Sequence, residues 1–166
     1  MIAQPGLQDN DLVLWTQLLA ETLNAELMDT LRADFPDVRY AHGFLFQQLV
    51  EGPRAVGEVA ENLGVTSQAI SKAARELEAL DYVERTPSPH DARVRLLALS
   101  DRGRATVEAS RAARAALNAE LVATLGTAQV EAAAKTMRAA LESRNAMQAV
   151  TSRRVRSAQG LLDGSR

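Results

Sequence analysis

Cysteine is absent from the 166 residues. That excludes disulfides, thiolate metal sites, iron–sulfur clusters, thiol nucleophiles and thiol redox sensing. Histidine is scarce too. His42 and His90 have no second histidine at metal-ligand spacing, so neither a metal nor another cofactor is expected. No apolar run approaches the ~18–20 residues that cross a bilayer. Residues 1–10 lack the basic and apolar regions of a secretory signal. The expectation is a cytoplasmic protein with no membrane partner. No Gly-rich phosphate loop, G-x-S-x-G or H-E-x-x-H occurs, and no motif sets a pair of carboxylates, so an enzyme is not expected.

Aromatics make up only 4% of the chain, and Ala, Leu and Val fill the gap within its 46% hydrophobic content. Ala and Leu lose little side-chain entropy in a helix, so a mostly helical fold follows. The length fits one domain, or one domain with an appendage. The net charge of −2 hides an asymmetry. Residues 1–65 sum to −7, residues 66–104 to +1 and residues 105–166 to +4. An acidic N-terminal third does not prevent another face from meeting a polyanion.

Apolar residues at Leu12, Trp15, Leu19, Leu23, Leu27 and Leu31 step by three or four, which is the helical period. Leu14 and Leu18 widen that stripe, as burial in an oligomer seam requires. Asp37 is read as the cap of a second helix holding Tyr40, Phe44, Leu45, Leu49 and Val50, which Gly52-Pro53 ends. A short helix over 56–63 then meets Gly64, and Thr66 caps a helix reaching about Asp81. Strands are expected over 82–86 and 93–99, joined by Pro87-Ser88-Pro89-His90-Asp91. Ser100 caps a long helix to about Leu125 whose inner face is read as Ala105, Ala109, Ala112, Ala113, Ala116, Leu117 and Leu121. Thr127 caps a last helix carrying Val130, Ala134, Met137 and Leu141.

Residues 56–75 fit a helix-turn-helix, with Val59, Leu63, Val65, Ile70 and Ala73 pinning the two helices. That geometry holds the second helix proud of the surface, able to enter a major groove. Its N-cap Thr66 and outward residues Ser67, Gln68, Ser71, Lys72 and Arg75 suit the task. Gln can pair with adenine, Lys and Arg with guanine, Ser and Thr with several base edges or phosphate. Arg75 could instead pair with Glu76 or Glu78, and Lys72 could be a solvated charge. The hairpin that follows is read as a wing. Arg93 and Arg95 alternate along a strand and so share a face. Asp91, two residues before Arg93, is placed to orient its guanidinium for a minor groove. Arg54 is a candidate to join the end of the sheet and touch phosphate, and His90 a candidate phosphate contact on the wing turn. The plainer alternatives are a helical hairpin and a solvated β-hairpin.

The run LGVTSQAISKAARELEALDYVERTPSPHDARVRLLALSDRGR, Leu63–Arg104, resembles the MarR family of bacterial transcription regulators. The markers are LEALDYVER after the recognition helix, the D-x-R of Asp91-Ala92-Arg93 in the wing, and LSDRGR opening the next helix. The usual second residue of the wing motif is Ala92 here instead of a basic one. The resemblance extends more weakly over 11–148. It implies a mostly α fold with a small β-wing: a winged helix-turn-helix at 37–100, flanked by dimerisation helices at 11–36 and 101–148. Beyond Ala149 the apolar pattern fades, and with Arg153, Arg154, Arg156 and Arg166 among Ser, Gly and Gln, 149–166 is read as a flexible basic tail. The resemblance implies a homodimeric repressor on pseudo-palindromic double-stranded DNA, released in many members by a small molecule. A winged-helix protein-interaction module is the alternative. It would need an apolar patch where Ser67, Gln68, Ser71 and Lys72 stand.

In that family, ligands sit between the dimerisation helices and the winged helix. Trp15, Tyr40, His42 and Phe44 are the candidate wall of a pocket for an aromatic or lipophilic effector. His42 could titrate or bond a carboxylate there. The alternative is that Phe44 and Phe46 are core and dimer-seam residues and that His42 is a satisfied structural histidine.

Overall fold

The computed structural model describes residues 11–89, 91 and 93–146. Six helices and one hairpin follow in the order α1 (Leu12–Arg32), α2 (His42–Leu49), α3 (Val56–Leu63), α4 (Ser67–Ala79), β1 (Val83–Pro87), β2 (Arg95–Leu99), α5 (Asp101–Leu125) and α6 (Thr127–Ser143). The fold class read from the sequence is the one observed. The expected tail, 149–166, lies outside the described residues, as does His90.

Capping sets most of the boundaries. The Asp11 carboxylate accepts from the Leu14 N–H, Thr66 Oγ1 from Ala69 and Ser100 Oγ from Gly103, at 3.0, 3.1 and 3.0 Å. Each satisfies a donor that the first helical turn leaves orphaned. Gly64 ends α3 in the left-handed region at φ 67°, and Val65 N–H then reaches back to the Ala60 carbonyl at 3.0 Å. Only glycine adopts that turn without strain.

Three expected boundaries differ. Asp37 does not cap α2. The helix starts at His42 after a tight turn, in which the His42 and Gly43 N–H groups donate to the Arg39 and Tyr40 carbonyls, while Asp37 lies 3.5 Å from an Arg102 nitrogen. Thr127 is the first residue of α6 and Gly126 its N-cap. The helix expected to run to Asp81 ends at Ala79, because Asp81 takes a left-handed φ of 60° and the Tyr82 N–H closes on the Leu77 carbonyl at 2.8 Å.

One apolar core joins α2, α3, α4 and the hairpin to the C-terminal part of α1 and the first half of α5. Leu45, Val59, Ile70, Leu77, Tyr82 and Leu97 are fully buried in it. Burying one such side chain stabilises by ~1.5–3 kcal/mol. The buried face of α5 is Gly103, Thr106, Val107 and Ala113. Ala105, Ala112 and Ala116, read as inward, are exposed. Of the α1 stripe only Leu27 and Leu31 are buried, with Met28 beside them. The first half of α1 stays open, with Leu12, Trp15, Leu18 and Leu19 exposed, and α6 buries nothing.

Candidate nucleic-acid interface

Helix α4 buries Ala69, Ile70, Ala73, Ala74 and Leu77 and turns its other side outward. Ser67, Gln68, Lys72 and Arg75 are exposed there and Ser71 is half-buried. The row expected from sequence therefore stands together on one open face. Arg75 pairs with neither Glu76 nor Glu78. Its Nε donates to the Ser71 carbonyl of its own helix at 3.2 Å, which lays the guanidinium along the outer surface. Lys72 enters no ion pair among the described residues.

Beside α4 stands the wing. β1 and β2 pair antiparallel from Val83↔Leu99 to Pro87↔Arg95. The pairing stops there, so Arg93 lies in the tip and not in a strand. The expected common strand face of Arg93 and Arg95 is therefore corrected, although both side chains are exposed. The physical reason is local. The Asp91 carboxylate accepts from the Arg93 backbone N–H at 2.9 Å, and the Val94 N–H donates to the Asp91 carbonyl at 2.9 Å. Asp91 thus shapes the tip through the backbone; the expected bond to the Arg93 guanidinium is replaced by this turn.

Arg54 joins the sheet as expected. Its N–H and carbonyl bond both ways with Leu97, at 2.9 and 2.8 Å. Its guanidinium, however, is committed to Glu51 at 3.1 Å and to Glu58, which leaves it a poor phosphate ligand.

The proposed pocket wall does not assemble as read. Tyr40 and Phe44 meet edge to face at 5.6 Å between ring centres, and Trp15 makes no ring contact among the described residues. His42 is buried at 3% exposure, 6.3 Å from the Phe46 ring, so it is a core residue and not an open ligand group. Arg39 holds it from two sides: the backbone N–H is 3.2 Å from Nδ1 and Nε is 3.1 Å from Nε2. A neutral imidazole accepts at only one nitrogen, so the two approaches compete for one lone pair. Burial, and then the Arg39 charge, push the His42 pKa down to about 4 against the opposing Glu76 carboxylate. The ring is neutral at pH 7.

Sequence reasoning missed the charge pairs that tie this surface together. Arg39 pairs with Glu76 of α4, and Arg85 of β1 pairs with Glu78 at 2.8 Å. Arg102 donates to the Leu80 carbonyl at 3.0 Å and stacks 4.5 Å from the Tyr82 ring centre. Arg39 and Glu76 are 37 residues apart, beyond any local spacing rule. Among the described residues no group of His, Asp and Glu could hold a metal ion, and no helix is long and apolar enough to cross a membrane.

The family model described as MarR family matches residues 40–94. Among solved structures, the YusO protein from Bacillus subtilis is similar at 28% identity and TM-score 0.63, over 80% of this chain and 93% of that one. The transcriptional regulator Tm0710 from Thermotoga maritima is similar at 25% identity and TM-score 0.59, over 78% and 93%. A mutant of MepR from S. aureus bound to an oligodeoxyribonucleotide shares the fold at 20% identity and TM-score 0.56, over 79% and 96%. No curated protein matches the chain.

Proposed function

This chain is a MarR-family winged-helix protein, and from that premise we propose that it is a sequence-specific DNA-binding transcription regulator, acting without catalysis in the cytoplasm. The observation that carries the reading is the open polar face of α4, with Ser67, Gln68, Ser71, Lys72 and Arg75, next to a wing that exposes Arg93 and Arg95. Thr66 supports the helix start as its cap, and Asp91 shapes the wing tip. A protein-docking face would be apolar, and this one is not.

Residues 11–36 and 101–148 serve as the dimerisation region, and 37–100 as the DNA-binding unit. The exposed Leu12, Trp15, Leu18 and Leu19 of α1, and Met137 and Leu141 of α6, are the apolar surface a second copy covers. A two-fold dimer then presents its recognition helices to half-sites ~34–36 Å apart on a pseudo-palindrome. Repression, with release by a small aromatic or lipophilic effector, is the mode of regulation we assign. For the wall of that site the support is Tyr40 and Phe44, which meet edge to face; Trp15 stands on the open face of α1 and His42 belongs to the core.

The test separates helix from wing by titrating two duplexes: one selected by the protein from a random library, one random. Gln68→Ala should cost ~1–3 kcal/mol on the selected duplex and leave random binding intact. Arg93→Ala should weaken both and flatten the salt dependence by ~0.9 in slope per lost phosphate contact. Equal effects of both variants on both duplexes would refute the division. No binding to any duplex would return the interaction-module reading.

A further inference from the structure

Glu76 is an anomaly on a helix that is to meet a polyanion. It lies four residues after Lys72 on α4, half exposed, at the edge of the outward face. Oppositely charged side chains at that spacing are neighbours on a helix surface and attract one another. Left to itself, the Glu76 carboxylate would attract Lys72 and draw its ammonium toward its own helix, a pull of ~0.2–0.5 kcal/mol. Instead Glu76 pairs with Arg39 from the turn before α2. Arg39 is in turn held by His42, whose Nε2 stands 3.1 Å from the Arg39 Nε. A fully buried neutral ring is a good anchor for this purpose. It brings no charge of its own to compete for Glu76 or to repel the guanidinium.

We propose that Arg39 is a positioning residue for DNA binding: by occupying Glu76 it masks a carboxylate on the recognition helix and leaves Lys72 available to the nucleic acid. The proposal rests on the DNA-binding reading above. Arg39 acts through Lys72 and need not touch DNA. Its loss leaves one unpaired negative charge per protomer on the recognition helix, felt over about a Debye length, ~10 Å at 0.1 M salt, and draws on one positive charge.

The test uses the full-length protein and the same two duplexes over a salt series. In Arg39→Ala, affinity for both should fall a few-fold, and the slope of log affinity against log salt should flatten by up to ~1.8 per dimer, ~0.9 for each Lys72 fully withdrawn. Glu76→Gln in the Arg39→Ala background should restore both quantities. Glu76→Gln alone should bind at least as tightly as the wild type, whereas a merely structural tie between α2 and α4 would make it weaker. Lys72→Ala should cost less in the Arg39→Ala background than in the wild type. Arg39→Gln, which keeps a donor toward His42 but no charge, repeats the series if Arg39→Ala does not fold. An unchanged slope in both Arg39 variants, failure of Glu76→Gln to rescue, or weakening by Glu76→Gln alone would each overturn the proposal. If the wild type binds neither duplex, the DNA-binding reading itself falls and this one with it. If the wild type binds and the Arg39 series is flat, only this proposal falls.

Discussion

The winged-helix core and the flanking helices spend their apolar residues in opposite ways. In α4, five residues out of thirteen are buried against neighbours in the same chain. In α6, none of seventeen is, although its Val130, Met137 and Leu141 keep helical spacing. α1 contains both regimes: Leu27, Met28 and Leu31 enter the core, while Leu12, Trp15, Leu18 and Leu19 stay open. A periodic apolar stripe therefore marks a face without saying whether its own chain covers it. Substitutions in the core should lower folding stability, whereas those in the flanks should act on assembly.

The largest effect is expected where the core tolerates no added atom. Gly103 lies in the first turn of α5, its N–H bonded to Ser100 Oγ. A Cβ there would run into the backbone carbonyl of Tyr82 and crowd Leu99. A backbone carbonyl cannot rotate away as a side chain would, so α5 must shift off the hairpin. Gly103→Ala should cost ~3 kcal/mol or more, read as a lower urea midpoint. Gly57, early in α3, has open space around its Cβ position. Gly57→Ala should be neutral or stabilise by up to ~1 kcal/mol. Equal outcomes at the two glycines would break the contrast between crowded core and open surface.

A somewhat smaller effect should come from acid. The His42 pKa falls from 6.5 unfolded to about 4 folded, so between those values the unfolded chain binds more protons. Stability from this group is complete above pH 6.5, declines as pH falls and levels off below about 4. The total is about 3 kcal/mol, at ~1.4 kcal/mol per pH unit of displacement. Other carboxylates titrate at the low end, so the informative quantity is a difference. His42→Gln should remove most of the slope of stability against pH between 6.5 and 5. An unchanged slope would mean that the ring is solvated, and that the core does not extend to Arg39 as described.

Both contrasts bear on what the sequence could disclose. Gly64, Thr66 and Ser100 are local signals, each acting over three or four residues, and they put α3, α4 and the start of α5 in their places. The outward row of α4 followed from its period alone. Arg93 lies outside the strand because the pull of Asp91 on the backbone delays the start of β2 by two residues, to Arg95, and alternation of residue types carries no trace of that. Ala105, Ala112 and Ala116 are exposed within the single chain for another reason. Alanine is as content outside a helix as inside it, so an Ala-rich stripe marks a face weakly. The Arg39–Glu76 pair and the burial of His42 come from tertiary contact, which no spacing within one helix encodes.

The smallest effect on folding is expected in the flanks, and it sharpens the comparison most. Met137 and Leu141 are each 37% exposed in the single chain and lie one helical turn apart. With both replaced by Glu, α6 keeps its helix propensity and loses nothing buried within the protomer. The core should therefore unfold within ~0.5 kcal/mol of the wild type when measured on the monomer. Assembly should respond strongly, because two charges per copy would have to be desolvated in a symmetric seam, four in all. Sedimentation from micromolar to nanomolar concentration should show the wild type as a dimer of the 17.9 kDa chain and Met137→Glu/Leu141→Glu as a monomer. The melting temperature of the wild type should rise with concentration and that of the variant should not, since a partner that binds only the folded state stabilises by mass action. A variant that stays dimeric would move the seam off α6 and onto the open half of α1, where Leu18→Glu/Leu19→Glu is the next substitution to make. A wild type that is monomeric throughout would leave the apolar faces of both helices without the partner their periodicity calls for.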